Sequence, residues 1–295
     1  MEVLNVPPAW KIVGRSLLYK RLRNAFVGCC GTVARLFFMP QYRAALFPRR
    51  VPVSRVDHPL DGLIPFNHRW VTVYLDFVAF WIRIAGFFLS RYGRKGINPA
   101  VEFIESIEEL YLFADKLYKK NLSTTSRPRW LRGFRFILIH MTDPHLMCIP
   151  SLHVMIVIRG YTKFRRMLSS REPGRFQNSG EIELVKRQAL DIVQAVLYVK
   201  QHSINCISAA MYAMSRLDPA LFPAEEAELF VSGLFSRRDG LPGGEFVQPE
   251  NVPKIKSHIL TLYRRFIEEG KNAGDWCEPL LRFLSRLPRA GERGH

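Results

Sequence analysis

The stretch 71–89, VTVYLDFVAFWIRIAGFFL, restricts what this chain can fold into more than any other part of it. Its length suits a bilayer crossing. It also carries Asp76 and Arg83, and each ionised side chain costs about 2.5–3.5 kcal/mol near the centre of a span. The two lie seven residues apart, close to one helical face, where they can pair inside a bundle. The other apolar stretches are interrupted too. Asp143-Pro144-His145 breaks 134–158, and Asp191, Lys200, Gln201 and His202 lie within 188–214. None of the three is a clean span. They read as helices of a marginally hydrophobic bundle, membrane-bound (integral or peripheral) or, alternatively, cytoplasmic.

The rest of the chain agrees with an all-α bundle. Apolar and acidic positions alternate at helical spacing over 99–120. Further helices are expected at about 151–169 and 184–215, separated by the loop SSREPGRFQNSGE. Strand signal is almost absent. Three segments follow from texture. Residues 1–56 form an N-terminal part with basic amphipathic stretches, LLYKRLRNAF and TVARLFFM. Residues 57–216 form a helical core opened by the loop 57–69. Residues 217–295 form a C-terminal extension of amphipathic helices and a Gly- and Pro-rich linker.

Charge restricts the partners. The 295 residues carry 43 Lys and Arg against 26 Asp and Glu, a net charge of +17. Such a balance calls for an anionic partner. The basic residues are spread along the chain, with no zinc-finger spacing and no RNA-binding aromatic signature, so an acidic membrane surface fits better than nucleic acid. Five cysteines (Cys29, Cys30, Cys148, Cys206, Cys277) form no CxxC pair, which points to neither a disulfide framework nor a thiolate zinc site. His140, His145, Cys148 and His153 could suggest zinc, but their spacing matches no common structural site. No metal or other cofactor is expected.

Three short segments carry chemistry when taken together. They are Lys120 with Arg127-Pro128, then Pro150-Ser151-Leu152-His153-Val154, then Lys200-Gln201-His202 with Cys206 four residues on. Phosphoryl transfer needs positive charge on the equatorial oxygens, N–H groups aimed at them, an in-line nucleophile and an acid for the leaving group. Lys120 and Arg127 can supply the charge, Arg127 bidentately. Ser151 opens a helix whose free N–H groups attract phosphate. His153 lies in the first turn of that helix. His202, expected on a separate helix, is placed as a nucleophile opposite an acid.

These segments resemble the three signatures of the phosphatidic acid phosphatase type 2 superfamily, which also includes vanadium haloperoxidases. Lys120, Arg127 and Pro128 match the first signature in spacing. Residues 150–154 match the Pro-Ser-Leu-His-Val variant of the branch similar to inositol phosphorylceramide synthase, and 200–202 match its Lys-Gln-His. Asp61-Gly-Leu-Ile-Pro-Phe66, followed by Trp70 and Tyr74, resembles the segment preceding that branch's core. The resemblance covers about 57–215. It implies a helical bundle and a lipid phosphate or other phosphorylated substrate. In the implied mechanism His202 forms a phosphohistidine and His153 protonates the leaving oxygen.

Two departures weigh against full activity. Ala195-Val196 stands where the third signature has Ser-Arg or Ser-Thr, and Cys206 stands where it closes with Asp. The family carboxylate fixes the tautomer of the nucleophilic histidine and stabilises its cation. A triad acid in that role is worth about 10⁴ in rate. Asp191 could substitute, and Asn205 could accept a hydrogen bond without supplying charge. If Cys206 lies one helical turn after His202, Cys206→Asp should raise turnover. The alternative is a catalytically degenerate member that binds anionic lipid or a phosphorylated ligand.

Overall fold

The computed structural model describes residues 2–47, 51–128, 133–171, 180–237 and 240–290. Arg129 and Arg132, which follow the Arg127-Pro128 segment, and 172–179 of the loop expected between two core helices, lie outside the described residues. The fold is an all-α bundle in which helices from every part of the chain share one hydrophobic core. Helices α1 (Ala9–Ser16) and α2 (Lys20–Val33) come first. A π-helical turn (Ala34–Phe38) runs on into α3 (Met39–Leu46). The core helices are α4 (Val71–Tyr92), α5 (Ile97–Tyr118), α6 (Phe134–Thr142), α7 (Leu152–Arg171), α8 (Gly180–Tyr198) and α9 (Ile204–Leu217). Helices α10 (Ala224–Gly233), α11 (Val252–Lys271) and α12 (Cys277–Ser285) complete the chain.

Packing follows the apolar stripes. Helix α4 lies against α5, α7 and α8, α2 covers α5, and α11 runs along α9. The Asp76–Arg83 pair forms as its spacing predicts. Arg83 Nη1 donates to Asp76 Oδ1 at 2.9 Å, and Nη2 donates to Oδ2. Among the described residues, one helical stretch, His68–Tyr118, is long and apolar enough to cross a membrane, and 56% of its most apolar window is buried in the bundle.

The α4–α5 connection is tight. Gly93 adopts φ 56°, a conformation most side chains resist. A Cβ on Gly96 would stand 2.0 Å from the Phe88 carbonyl oxygen, a backbone atom that cannot swing aside. Gly96→Ala is therefore expected to destabilise the fold by about 1–3 kcal/mol, as overpacking does, which a shift of the urea midpoint will register.

Two very short strands position the site. β1 (Val53–Arg55) pairs in parallel with β2 (Leu122–Thr124), with Val53 opposite Leu122. Ser123 then holds the segment before α7. Its carbonyl accepts from Cys148 N at 3.1 Å, and its hydroxyl accepts from Ile149 N at 2.7 Å. The strand following Lys120 is thereby bound to the segment leading into Ser151.

The helix expected over 184–215 is two helices. α8 ends at Tyr198, Lys200 takes φ 55°, and α9 begins at Ile204 with Ser203 as its N-cap. The N–H groups of Gln201 and His202 both return to the Val196 carbonyl, at 2.9 and 3.2 Å, in the manner of a helix C-terminal motif. Lysine in the left-handed region is held there by its own side chain. Its Nζ donates to the Asp61 carbonyl at 2.6 Å and to the Ile64 carbonyl. The Asp61 carboxylate accepts from Ile204 N at 3.0 Å and from His58 N at 2.8 Å. The Asp61–Phe66 segment and the Lys-Gln-His segment thus interlock.

Candidate functional site

Ser151 immediately precedes α7. Its carbonyl accepts from Met155 N at 3.0 Å, and its hydroxyl lies 3.4 Å from Val154 N. The same hydroxyl lies 3.2 Å from Nε2 of His202, which in turn lies 3.3 Å from Nδ1 of His153. Residues about fifty positions apart thus form one hydrogen-bonded line, and all three are buried. The His153 ring is held between Tyr74, with centroids 4.9 Å apart and stacked, and Phe77 at 4.3 Å.

A second line runs beside the first. Arg127 Nη2 donates to Asp143 Oδ2 at 3.0 Å, and Nη1 donates to the Asp143 carbonyl at 3.0 Å. Asp143 Oδ1 accepts from His145 N at 2.8 Å. His145 takes φ 61°, and its Nε2 lies 2.7 Å from Thr125 Oγ1 and 3.4 Å from Cys148 Sγ. The His145 and His202 ring centroids are 6.0 Å apart.

Electrostatics keep the imidazoles neutral. Burial pushes His153 down to about 4. Burial, then His153 and His145, push His202 well below the ordinary histidine value. Burial lowers His145 as well, against the pull of the Asp143 carboxylate, which accepts from its ring. Burial alone would raise the Asp143 carboxyl, but His145 and Arg127 outweigh it and hold the group well below the usual range. A neutral, buried imidazole with a free lone pair is a nucleophile, and a second imidazole in contact with it can relay a proton.

Four expectations need correction. The reading of His202 as a nucleophile opposite the acid His153 calls for a phosphate between them; instead the imidazoles touch, and nothing fits between Nε2 and Nδ1 at 3.3 Å. Lys120 does not turn toward the histidines. Its exposed ammonium pairs with Asp275 at 3.1 Å, which raises its pKa. His202 precedes α9 and is not part of it, so the one-turn relation to Cys206 fails. His202 Nδ1 is buried without a hydrogen-bond partner, and the Cys206 thiol is held neutral by burial, then by Cys148. Neither substitute for the family carboxylate serves. Asp191 pairs with Arg237 at 2.5 Å. Asn205 Oδ1 accepts from His258 Nε2 at 2.9 Å, and its Nδ2 donates to the Val56 carbonyl at 3.1 Å.

Asp143 and the Tyr74–Phe77 cradle were not singled out from sequence as site residues. The signal for Asp143 was its place in a Pro-linked break of an apolar stretch. Of the possible zinc group, His145 and Cys148 meet, but no cluster of three or more potential metal ligands occurs among the described residues.

A cavity of about 400 Å³ adjoins the site. His153 and Asp143 are part of its lining, and most of the rest is apolar, including Phe37, Val78, Trp81 and Ile139. No protein-family model, curated protein or solved structure matches the chain. The fold class is therefore fixed by its own architecture: an all-α bundle with a buried histidine pair, one member of which, His153, lines an apolar cavity.

Proposed function

We propose that this protein acts on a phosphate ester, hydrolysing it or transferring its phosphoryl group through a phosphohistidine at His202, with a lipid phosphate as substrate. The observation that carries this reading is the line Ser151–His202–His153, formed by the residues that the resemblance to the phosphatidic acid phosphatase type 2 superfamily singles out. His202 Nε2 attacks phosphorus as the ester P–O bond breaks, and His153, protonated once the phosphate dianion offsets its burial, gives the leaving oxygen its proton. Water or an acceptor hydroxyl, giving its proton back to His153, then takes the phosphoryl group from His202, while the Ser151 hydroxyl and the first N–H groups of α7 hold the oxygens. Arg127, beside Asp143, supplies charge. Lys120, on Asp275, stands outside this set. The apolar cavity accommodates a hydrocarbon chain whose phosphate lies toward His153. The net charge of +17 suits an acidic bilayer as the place of work.

A second reading, a degenerate member that binds a phosphorylated or anionic lipid without turning it over, is favoured by a specific observation. His202 Nδ1 has no partner, where the family carboxylate would fix the tautomer. Phosphate release from a panel of lipid phosphates in mixed micelles separates the two. Turnover by the parent, falling by about 10³-fold or more in His202→Ala, supports the enzyme. Binding without release supports the second reading. Release that ignores His202→Ala refutes the assignment of the nucleophile.

A further inference from the structure

Helix α6 is apolar on both sides. Phe136 and Ile139 face inward and are buried. Phe134, Ile137 and Met141 follow at helical spacing on the opposite side and are exposed, by 77%, 38% and 73%. A nine-residue helix with its apolar outer stripe in water gains nothing from that exposure, and such stripes mark interaction surfaces.

The neighbouring surface continues the same chemistry. Phe38 of the π-helical turn and Val78 of α4 are exposed, and both line the cavity that His153 also lines. Ile139, from the inner side of α6, lines it as well. The exposed stripe is therefore the outer face of a helix whose inner face lines that cavity, beside the exposed Phe38 and Val78 that line it too. Exposed Arg35 and Arg135 lie on the turn and on α6, and exposed Arg43 lies on α3, which continues the turn, as cations that snorkel to acidic headgroups would.

We propose that α6, with Phe38 and Val78, is an interfacial docking surface for an acidic bilayer, in which Phe134, Ile137 and Met141 insert at the headgroup–acyl boundary. Docked in this way, the mouth of the cavity opens directly on the hydrocarbon of the leaflet. A lipid chain can then enter without crossing water. The partner is chosen by the charge: an apolar stripe edged by arginines matches anionic lipid, whereas a neutral protein groove would not call for them. This deepens the lipid clause of the proposed function, and it requires no turnover. Loss of docking leaves the phosphate chemistry testable in micelles.

The test is sedimentation of the full chain with phosphatidylcholine vesicles, with and without phosphatidylglycerol. The parent is expected to bind the acidic vesicles, less so as salt rises and the Debye length falls from about 10 Å at 0.1 M to about 3 Å at 1 M. Phe134→Ser with Met141→Ser is expected to reduce partition about tenfold or more, because two inserting side chains are lost. Circular dichroism checks that both variants keep the fold. Leu229→Ser, which removes an exposed leucine of α10, is the control and should bind like the parent. Three results would overturn the proposal: an α6 variant that binds as well as the parent, an equal loss in Leu229→Ser, or a parent indifferent to lipid charge.

Discussion

Acidification from pH 6.5 to about pH 4 is expected to cost this protein about 3 kcal/mol of stability or more, and the histidines are the cause. The unfolded chain takes up protons near pH 6.5, whereas burial keeps folded His153 neutral down to about 4. The unfolded state then binds more protons, so stability falls as pH falls through that window and is fully present above it. At about 1.4 kcal/mol per pH unit, His153 alone accounts for about 2–3 kcal/mol. His202 shifts in the same direction, and so does His258, lowered to about 4 by burial and by the ring of His58 stacked 3.9 Å away. Asp191 works in the opposite sense. Burial raises it to about 6 despite Arg237, so its protonation relieves strain on acidification and offsets about one histidine. The net loss is large beside a typical total of about 5–15 kcal/mol. Urea midpoints measured across this range will fall steadily. A midpoint constant between pH 6.5 and pH 4.5 would mean that the imidazoles are not held neutral.

Arg159→Ala is expected to be the most damaging single truncation of a charged residue, at about 3–5 kcal/mol. The guanidinium is 2% exposed at the centre of the bundle. It donates to Asp218 at 2.9 Å and to Glu109 at 3.4 Å, and so fastens α7 to the end of α9 and to α5. Removing it leaves Asp218 half-sheltered without its cation and opens a cavity among packed helices. Its aliphatic stem is lost as well. Glu109, more than half exposed, contributes little of this. Asp218→Asn, which keeps the shape and a hydrogen-bond acceptor, should cost markedly less. Thermal denaturation of both variants tests the ordering, and equal losses would show that the Asp218 pair alone, without the cavity or the stem, accounts for the effect.

Much of the architecture was legible because helical periodicity is a local property. The placements of α4, α5, α7, α10, α11 and α12 follow from apolar spacing, and the Asp76–Arg83 pair follows from a seven-residue separation. The break between α8 and α9 was not legible. No glycine or proline marks it, and Lys200 is held at φ 55° by carbonyls of Asp61 and Ile64, contacts that exist only in the tertiary fold. That break moved His202 off the helix and removed the basis for placing Cys206 beside it. Lys120 was misplaced for a similar reason. Its partner Asp275 comes from the C-terminal extension, far away in sequence. Ser151, His153 and His202 were legible as a set because all three sit in short, distinctive segments. Asp143 was not, because its role depends on Arg127 folding back across a strand pair of three residues each.

The most direct measurement on the proposed phosphate site is a vanadate titration of the full chain, followed by the histidine resonances in NMR. Vanadate adopts the trigonal-bipyramidal geometry of a phosphoryl group in transfer, with an axial position for an imidazole nitrogen. If the site is built for phosphoryl transfer, vanadate is expected to separate the touching rings of His153 and His202 and shift both sets of resonances. His202→Ala should then abolish binding, while Lys120→Ala, a residue paired with Asp275 at the surface, should leave it within about twofold. Saturable binding that survives His202→Ala, or histidine resonances unmoved at saturating vanadate, would contradict the assignment.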